Sequence, residues 1–318
     1  MIPMLMIISM VSFIIIQLPP GDWITSYAAH LRSIGTEATL ETLEALRVRY
    51  GLGEPIWKQY LYWISGFPEG DFGIAMSMQD TPVAELVWPR FGMSLLLSLS
   101  TLVIVLGLAI PFGIVAAVNR NGPIDYFLSS IAFLALSIPS FITALTILFI
   151  SIFYLGSDTV GRLYSPEFIG QPMDWDKFLD TLKHMPAPML AIGLGGLAGT
   201  MRIMRGNLLD VLTQQFIETA RAKGLSEHVV VLKHGVRIAI NPIISRVGIY
   251  LPEIIGGEII VSVILNLPTL GPLFLSSVLG QDMYLAGTIM MFFGAILLIG
   301  NFIADLILIW SDPRITYD

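Results

Sequence analysis

Apolar residues fall in six long blocks, at roughly 1–18, 93–118, 127–155, 186–205, 243–265 and 284–310. Each is about as long as the ~20 helical residues that cross a bilayer's hydrocarbon. Between the first and second blocks, residues 19–92 are mixed, and there "TLETLEALRVRYGLGEPIWKQYLYWISG" places Leu40, Leu43, Leu46 and Tyr50 at helical spacing. A Gly-Leu-Gly break follows, and then a second, aromatic helix around Ile56–Ile64. The pattern predicts an all-α polytopic membrane protein: a first spanning helix (1–18), a helical cap (19–92) and a five-helix core (93–318). Trp57, Tyr60, Tyr62 and Trp63 are expected as interfacial anchors of the cap. Pro111 is expected to break the second span, and Pro139 in "LSIPSF" to kink the third.

Composition supports a lipid solvent. Hydrophobic residues make up 55% of the 318 and charged residues 13%, about half the ~25% charge of a soluble domain. The net charge of −7 averages over loops on two sides of a membrane and decides little. The absence of cysteine removes disulfides, thiolate metal sites and cysteine nucleophiles. The first block has neither a basic leader nor a small-residue cleavage site, so it reads as a retained span. With both termini inside, the inner segments hold nine Lys and Arg and the outer ones, about twice as long, hold eight. That bias favours an N-in, C-in orientation and an outer cap. The second outer loop, about 156–185, is acidic, with Asp158, Glu167, Asp174, Asp176 and Asp180.

Chemistry is sparse. There is no phosphate-binding G-x-x-x-x-G-K-[ST], no H-E-x-x-H and no G-x-S-x-G. His30, His184, His228 and His234 fall on different loops or off a common helical face, so neither a metal nor a catalytic site is expected. The informative segment is "FIETARAKGLSEHVVVLKHGVRIAINPIIS", Phe216–Ser245, inside a cytoplasmic stretch at about 207–241. Leu208, Leu212, Phe216 and Ala220 extend the fourth span as an amphipathic helix. Gly224 is placed for a left-handed C-cap, and Ser226 to cap the next helix, with Glu227 in its first turn. Val229, Leu232, Val236 and Ala239 form one face of that helix, Lys233 and Arg237 lie on another, and Asn241-Pro242 closes it. The result is a helix–Gly corner–helix elbow with small residues at its apex.

"ETARAKGLS" (218–226) resembles the EAA loop of ABC importer permeases, in the version of the dipeptide/oligopeptide/nickel group. "RYGLGEPIWKQYLYWISGFPEGDFG", "SIPSF", "MRGNLLDVL", "NLPTLGPLF" and the terminal "DPRI" (312–315) resemble the same family in the same order. The 17 residues between Gly224 and Pro242 fit that branch, whereas Ser262 and "PTLG" (268–271) depart from its usual pattern.

The resemblance implies a permease subunit, not an enzyme, that forms a pathway for peptides or a related small solute with a sister permease. Two cytoplasmic ATPase subunits would carry ATP and Mg, this chain binding no cofactor, and an extracytoplasmic solute-binding protein would deliver the solute. The setting would be a bacterial or archaeal cytoplasmic membrane, with no nucleic acid involved. By match to the motif, Glu218, Ala220 and Gly224 would hold the elbow's shape, and Arg221, Lys223 and Ser226 would lie at or near the ATPase. Glu258, one turn before Ser262, stands as a replacement for a missing acid; both are pathway candidates, against a structural ion pair or a water-exposed position near the membrane surface for Glu258. Glu253, Asn301 and Asp305 read as packing or pairing groups. The alternative function is a self-sufficient secondary transporter or channel, which needs no capped elbow.

Overall fold

The computed structural model describes residues 2–18, 20–36, 39–78, 80–156 and 160–311; Asp158 and the terminal "DPRI" lie outside them. The helices are α1 (Ile2–Gln17), α2 (Trp23–Ser33), α3 (Leu40–Arg49), α4 (Ile56–Ser65), α5 (Val83–Val118), α6 (Pro123–Ser137), α7 (Ser140–Phe153) and α8 (Trp175–His184). They continue with α9 (Pro186–Leu212), α10 (Gln215–Ala222), α11 (Glu227–Val229), a π segment (Val230–Gly235), α12 (Val236–Ala239), α13 (Asn241–Ile264), α14 (Leu270–Leu279) and α15 (Met283–Ser311). A two-residue antiparallel hairpin pairs Ile74 with Pro82 and Ala75 with Thr81. The all-α polytopic expectation holds.

The spans differ in detail from the sequence expectation. Among the described residues, three helices (Val83–Val118, Pro186–Leu212, Met283–Ile307) are individually long and apolar enough to cross a membrane, and two bent pairs raise this to five. The 16-residue α1 is about 24 Å long. The block 127–155 is not one kinked helix: α6 and α7 meet at 99°. Ile138 between them is extended (φ −98°, ψ 115°). Proline imposes that on the residue before it, and Pro139 then starts a new helix. Pro111, by contrast, does not break its span, because α5 runs through it unbroken for 36 residues. Bilayer helices absorb such a proline by local adjustment of neighbouring turns.

The chain divides into two compact units, Met1–Ser94 with Pro268–Ile296, and Leu95–Leu267 with Leu297–Asp318. The first is built on an aromatic core. Phe13 stacks on Trp63 (5.5 Å), Trp63 meets Phe67 edge-on (4.9 Å), and Trp23 stacks on Tyr27 (5.0 Å). Trp63 is therefore no interfacial anchor. It is 2% exposed and donates to Thr288 Oγ1 at 3.3 Å. Tyr60 turns to the same side and meets Ser9 at 2.8 Å, while Trp57 and Tyr62, on the opposite face of α4, remain exposed. Helix α2 starts at a capping box made by Asp22 and Thr25. Burial pushes the Asp22 carboxyl up, and the amide of Thr25 with the Arg47 guanidinium outweigh it, leaving it below its usual value.

The second unit is packed through small residues. Ala109, Ala116, Ala132, Ala135 and Ala198 are buried together with Met201. A Cβ on Gly113 would come within 2.7 Å of the Met201 carbonyl, so α5 and α9 touch there backbone to backbone. Close approach of this kind replaces the hydrophobic drive that lipid does not supply.

Candidate functional site

The elbow begins where α9 stops at Leu212. Thr213 and Gln214 make the turn, with the Thr213 hydroxyl donating to the Asp210 carbonyl at 2.8 Å. The break resets the helical phase. Ile217, at 0% exposure, enters the elbow's small core beside Ala220 and Val230, and Phe216 turns outward at 36%. The stripe expected through Phe216 assumed an uninterrupted helix, which the turn removes. Gly224 is left-handed (φ 79°), and its amide donates to the Arg221 carbonyl at 2.9 Å. Open space surrounds it, so glycine serves the backbone angle and not a close contact. Ser226 occupies the N-cap position in extended conformation, but its side chain makes no capping bond.

The returning arm contains the π segment. An i→i+5 turn inserts one residue into the helical count and rotates all that follows. Val230, Val231, Gly235 and Ala239 are the buried positions of this arm, Ala239 as expected, whereas Val229 and Leu232 of the expected face are exposed at 38% and 50%. Gly235 sits against α9: a Cβ there would lie 3.1 Å from Leu208 Cδ1 and 3.3 Å from Leu212 Cδ2. Asn207 donates from Nδ2 to the Ala239 carbonyl at 3.2 Å. The arm is thus braced on α9, and Asn241-Pro242 opens α13 as expected.

The rim is charged and apolar by turns. Glu218, Arg221, Lys223, Gly224 and Ser226 are exposed, whereas Ala220 is buried. Arg221 spans the corner to Glu227 in a two-pronged pair, Nη2 to Oε1 at 2.6 Å and Nε to Oε2 at 3.1 Å. Hydrogen bonding to Arg221 lowers the Glu227 carboxyl, and the same contact raises Arg221. The sequence reading placed Glu227 only as a first-turn charge; its partnership across the Gly corner depends on the left-handed turn. Glu218 acts on Arg221 through space. Phe216, Leu225, Val229 and Leu232 stand exposed among these charges. The arrangement is a stiff, braced projection with an amphipathic rim.

Two polar contacts tie helices within the same unit. Glu258, 1% exposed, accepts from Ser98 Oγ at 2.9 Å and so links α13 to α5. Ser262, one turn on, is 0% exposed, and its hydroxyl has no partner among the described residues. The two pathway candidates share a face as expected, and both are enclosed by the chain's own helices. Farther along, Asp125 of α6 takes both Arg205 Nε (2.6 Å) and Nη2 (2.7 Å) from α9. The Asn121 amide (3.0 Å) and Ser129 hydroxyl (3.2 Å) also donate to Asp125. Sequence reading passed over Asp125, although an acid beside an apolar block was the signal available.

Of the other polar groups, Glu253 faces Arg246 at 3.9 Å on the surface. Asn301 packs on Gly248, where a Cβ would stand 2.7 Å from its Oδ1. Among the described residues no three His, Asp or Glu group as a metal site.

Comparison with known proteins covers the whole chain. Residues 109–317 match the family described as "Binding-protein-dependent transport system inner membrane component". Residues 1–111 match the corresponding N-terminal family. The oligopeptide transport system permease protein AppB of Bacillus subtilis (strain 168) is 34% identical, covering 99% of this chain and 96% of that protein. OppB of Haemophilus influenzae, an oligopeptide transport system permease protein, is 31% identical over 99% and 96%. GsiC of Escherichia coli (strain K12), a glutathione transport system permease protein, is 33% identical over 100% and 96%.

Proposed function

From the premise that this chain belongs to the binding-protein-dependent transport inner membrane component family, we propose how its elbow and helices serve ATP-driven import of peptides. As a multi-pass permease subunit of an ABC importer it performs no hydrolysis itself. The peptide assignment is supported by relatives named for oligopeptide and glutathione transport. It pairs with a sister permease, and two ATPase subunits bind its cytoplasmic side. A solute-binding protein docks outside, on the cap, in a bacterial or archaeal cytoplasmic membrane.

The observation that carries this reading is the elbow itself: a packed base of Ile217, Ala220 and Val230 under an exposed rim of Phe216, Leu225, Val229 and Leu232. Arg221, Lys223 and Ser226 are the polar contacts toward an ATPase groove, and Ala220 and Gly224 hold the bend. Glu218 tunes Arg221. Closure of the ATPase pair pushes on the elbow. Through Gly235 and Asn207 the push reaches α9, and from there the spanning helices. Glu258 and Ser262 form a seam between α5 and α13 that reaches the solute only when those helices part.

Reconstitution tests the whole reading. Vesicles holding this chain, a sister permease, the ATPases and the binding protein should accumulate peptide on ATP addition. Vesicles with this chain alone should not; accumulation by the single chain overturns the assignment.

A further inference from the structure

Arg202 is a cation without a carboxylate partner among the described residues. It lies on α9, inside a helix able to cross the membrane, one turn before the end of the apolar block 186–205. Arg205, three residues on, is neutralised by the two-pronged bond to Asp125. Arg202 has no ion pair among the described residues; its guanidinium lies 4.3 Å from the centre of the Phe133 ring on α6. An uncompensated charge at this depth is expensive unless it faces water or a counter-charge. The ring orients the planar guanidinium and leaves its N–H edge unoccupied.

That edge borders a cavity of about 480 Å³ lined by Ser129, Phe133, Gly199, Arg202, Ile203 and Arg205. Gly199 keeps the wall low, since a Cβ there would meet only Leu136, at 3.9 Å. The mouth opens on the chain's outer surface, where Phe133 is 54% and Leu136 43% exposed. One net positive charge at the polar end and apolar side chains at the other match an amphiphilic anion. We propose that this cavity is a binding site for the phosphate headgroup of an anionic phospholipid. Arg202 holds the phosphate, and an acyl chain lies along Leu136 and Ile203. The lipid comes from the leaflet at the C-terminal end of α9. Basic pockets between spanning helices favour such headgroups, each arginine strengthening the attraction severalfold.

Native mass spectrometry of the intact transporter complex, titrated with phosphatidylglycerol, tests this. The wild type should retain one phosphatidylglycerol more tightly than the rest. Arg202→Gln should weaken that step about five-fold, Arg202→Lys should keep most of it, and phosphatidylcholine should bind both proteins alike. Millimolar inorganic phosphate should leave the tight lipid in place. Equal phosphatidylglycerol titrations of wild type and Arg202→Gln overturn the proposal, and so does displacement by phosphate. Loss of a partner subunit from Arg202→Gln with lipid binding unchanged also overturns it, assigning Arg202 to a protein contact.

Discussion

Gly224 shows how one backbone angle sets the geometry of an exposed site. At φ 79° with empty space around it, any side chain fits sterically but meets the left-handed penalty of about 1 kcal/mol. Gly224→Ala should therefore leave the protein inserted and folded while loosening the corner, with uptake per ATP hydrolysed reduced. Gly224→Leu adds bulk at the apex and should abolish coupling; normal uptake by that variant contradicts the docking role. Asp125 presents the opposite case, a buried charge fixed by four donors. Asp125→Asn leaves the Arg205 guanidinium facing a neutral amide, which should cost about 3 kcal/mol. A clear fall in the thermal midpoint of the purified protein is the expected readout. Restoring part of that loss by Arg205→Gln in the same chain would confirm that the pair, and not the aspartate alone, holds α6 on α9. A midpoint within error of the wild type contradicts the structural role of the pair.

Whole elements were legible where local chemistry decides them. The Leu43–Leu46 spacing and the Gly51 turn give α3 and its end, and the positions of Gly224 and Pro242 frame the elbow. Phase was not legible. The turn at 213–214 resets the helix after it, so Ile217 replaces Phe216 inside, and within the π segment Val231 is buried in place of Leu232. Neither turn carries a glycine or proline at its start, and tertiary packing on α9 is what rewards them. The 99° corner at Ile138 exceeds what a proline alone announces, since Pro111 stands in a continuous helix.

The loop before α8 is tied to that helix by Asp180 and by Lys177, whose Nζ donates to the Gln171 carbonyl at 2.6 Å and lies 4.5 Å from the centre of the Tyr164 ring. Asp180 accepts from the Ser165 amide at 2.6 Å and hydroxyl at 3.0 Å, beside His184 and near Lys183. Burial raises the Asp180 carboxyl, but the Ser165 bonds, with smaller contributions from the neighbouring His184 and Lys183, outweigh it, so its value lies below the 3.8 of an unperturbed aspartate. A lowered folded value means the stabilisation is complete above the unfolded value and is lost as pH falls through the folded one. Amide exchange over 160–172 should thus stay slow at neutral pH and quicken in acid. Asp180→Asn should exchange faster than the wild type at neutral pH as well, most of all near Ser165. An acid response that persists in that variant would place the titrating group elsewhere.

At the scale of the molecule, the absence of cysteine turns the chain into its own background for mapping conformational change. Ser262 is 0% exposed with a hydroxyl that is unpartnered among the described residues, and Glu258 one turn away accepts from Ser98. A lone buried hydroxyl costs about 1–3 kcal/mol relative to a bonded one, so any conformation that gave Ser262 a partner would recover part of that cost. If, as proposed, α5 and α13 part during import, water or solute reaching the seam would supply one. In a transporter whose other subunits are also cysteine-free, Ser262→Cys should resist a charged, membrane-impermeant thiol reagent in the conformation described here. Binding protein with ATP, or a trapped ATPase dimer, should raise its labelling rate at least tenfold, and a bound peptide should slow it again. Ser98→Ala releases the Glu258 contact and should raise labelling without ATP. A thiol that stays unreactive in every state, with transport intact, would place the seam in the static framework and move the solute's route to another face of these helices.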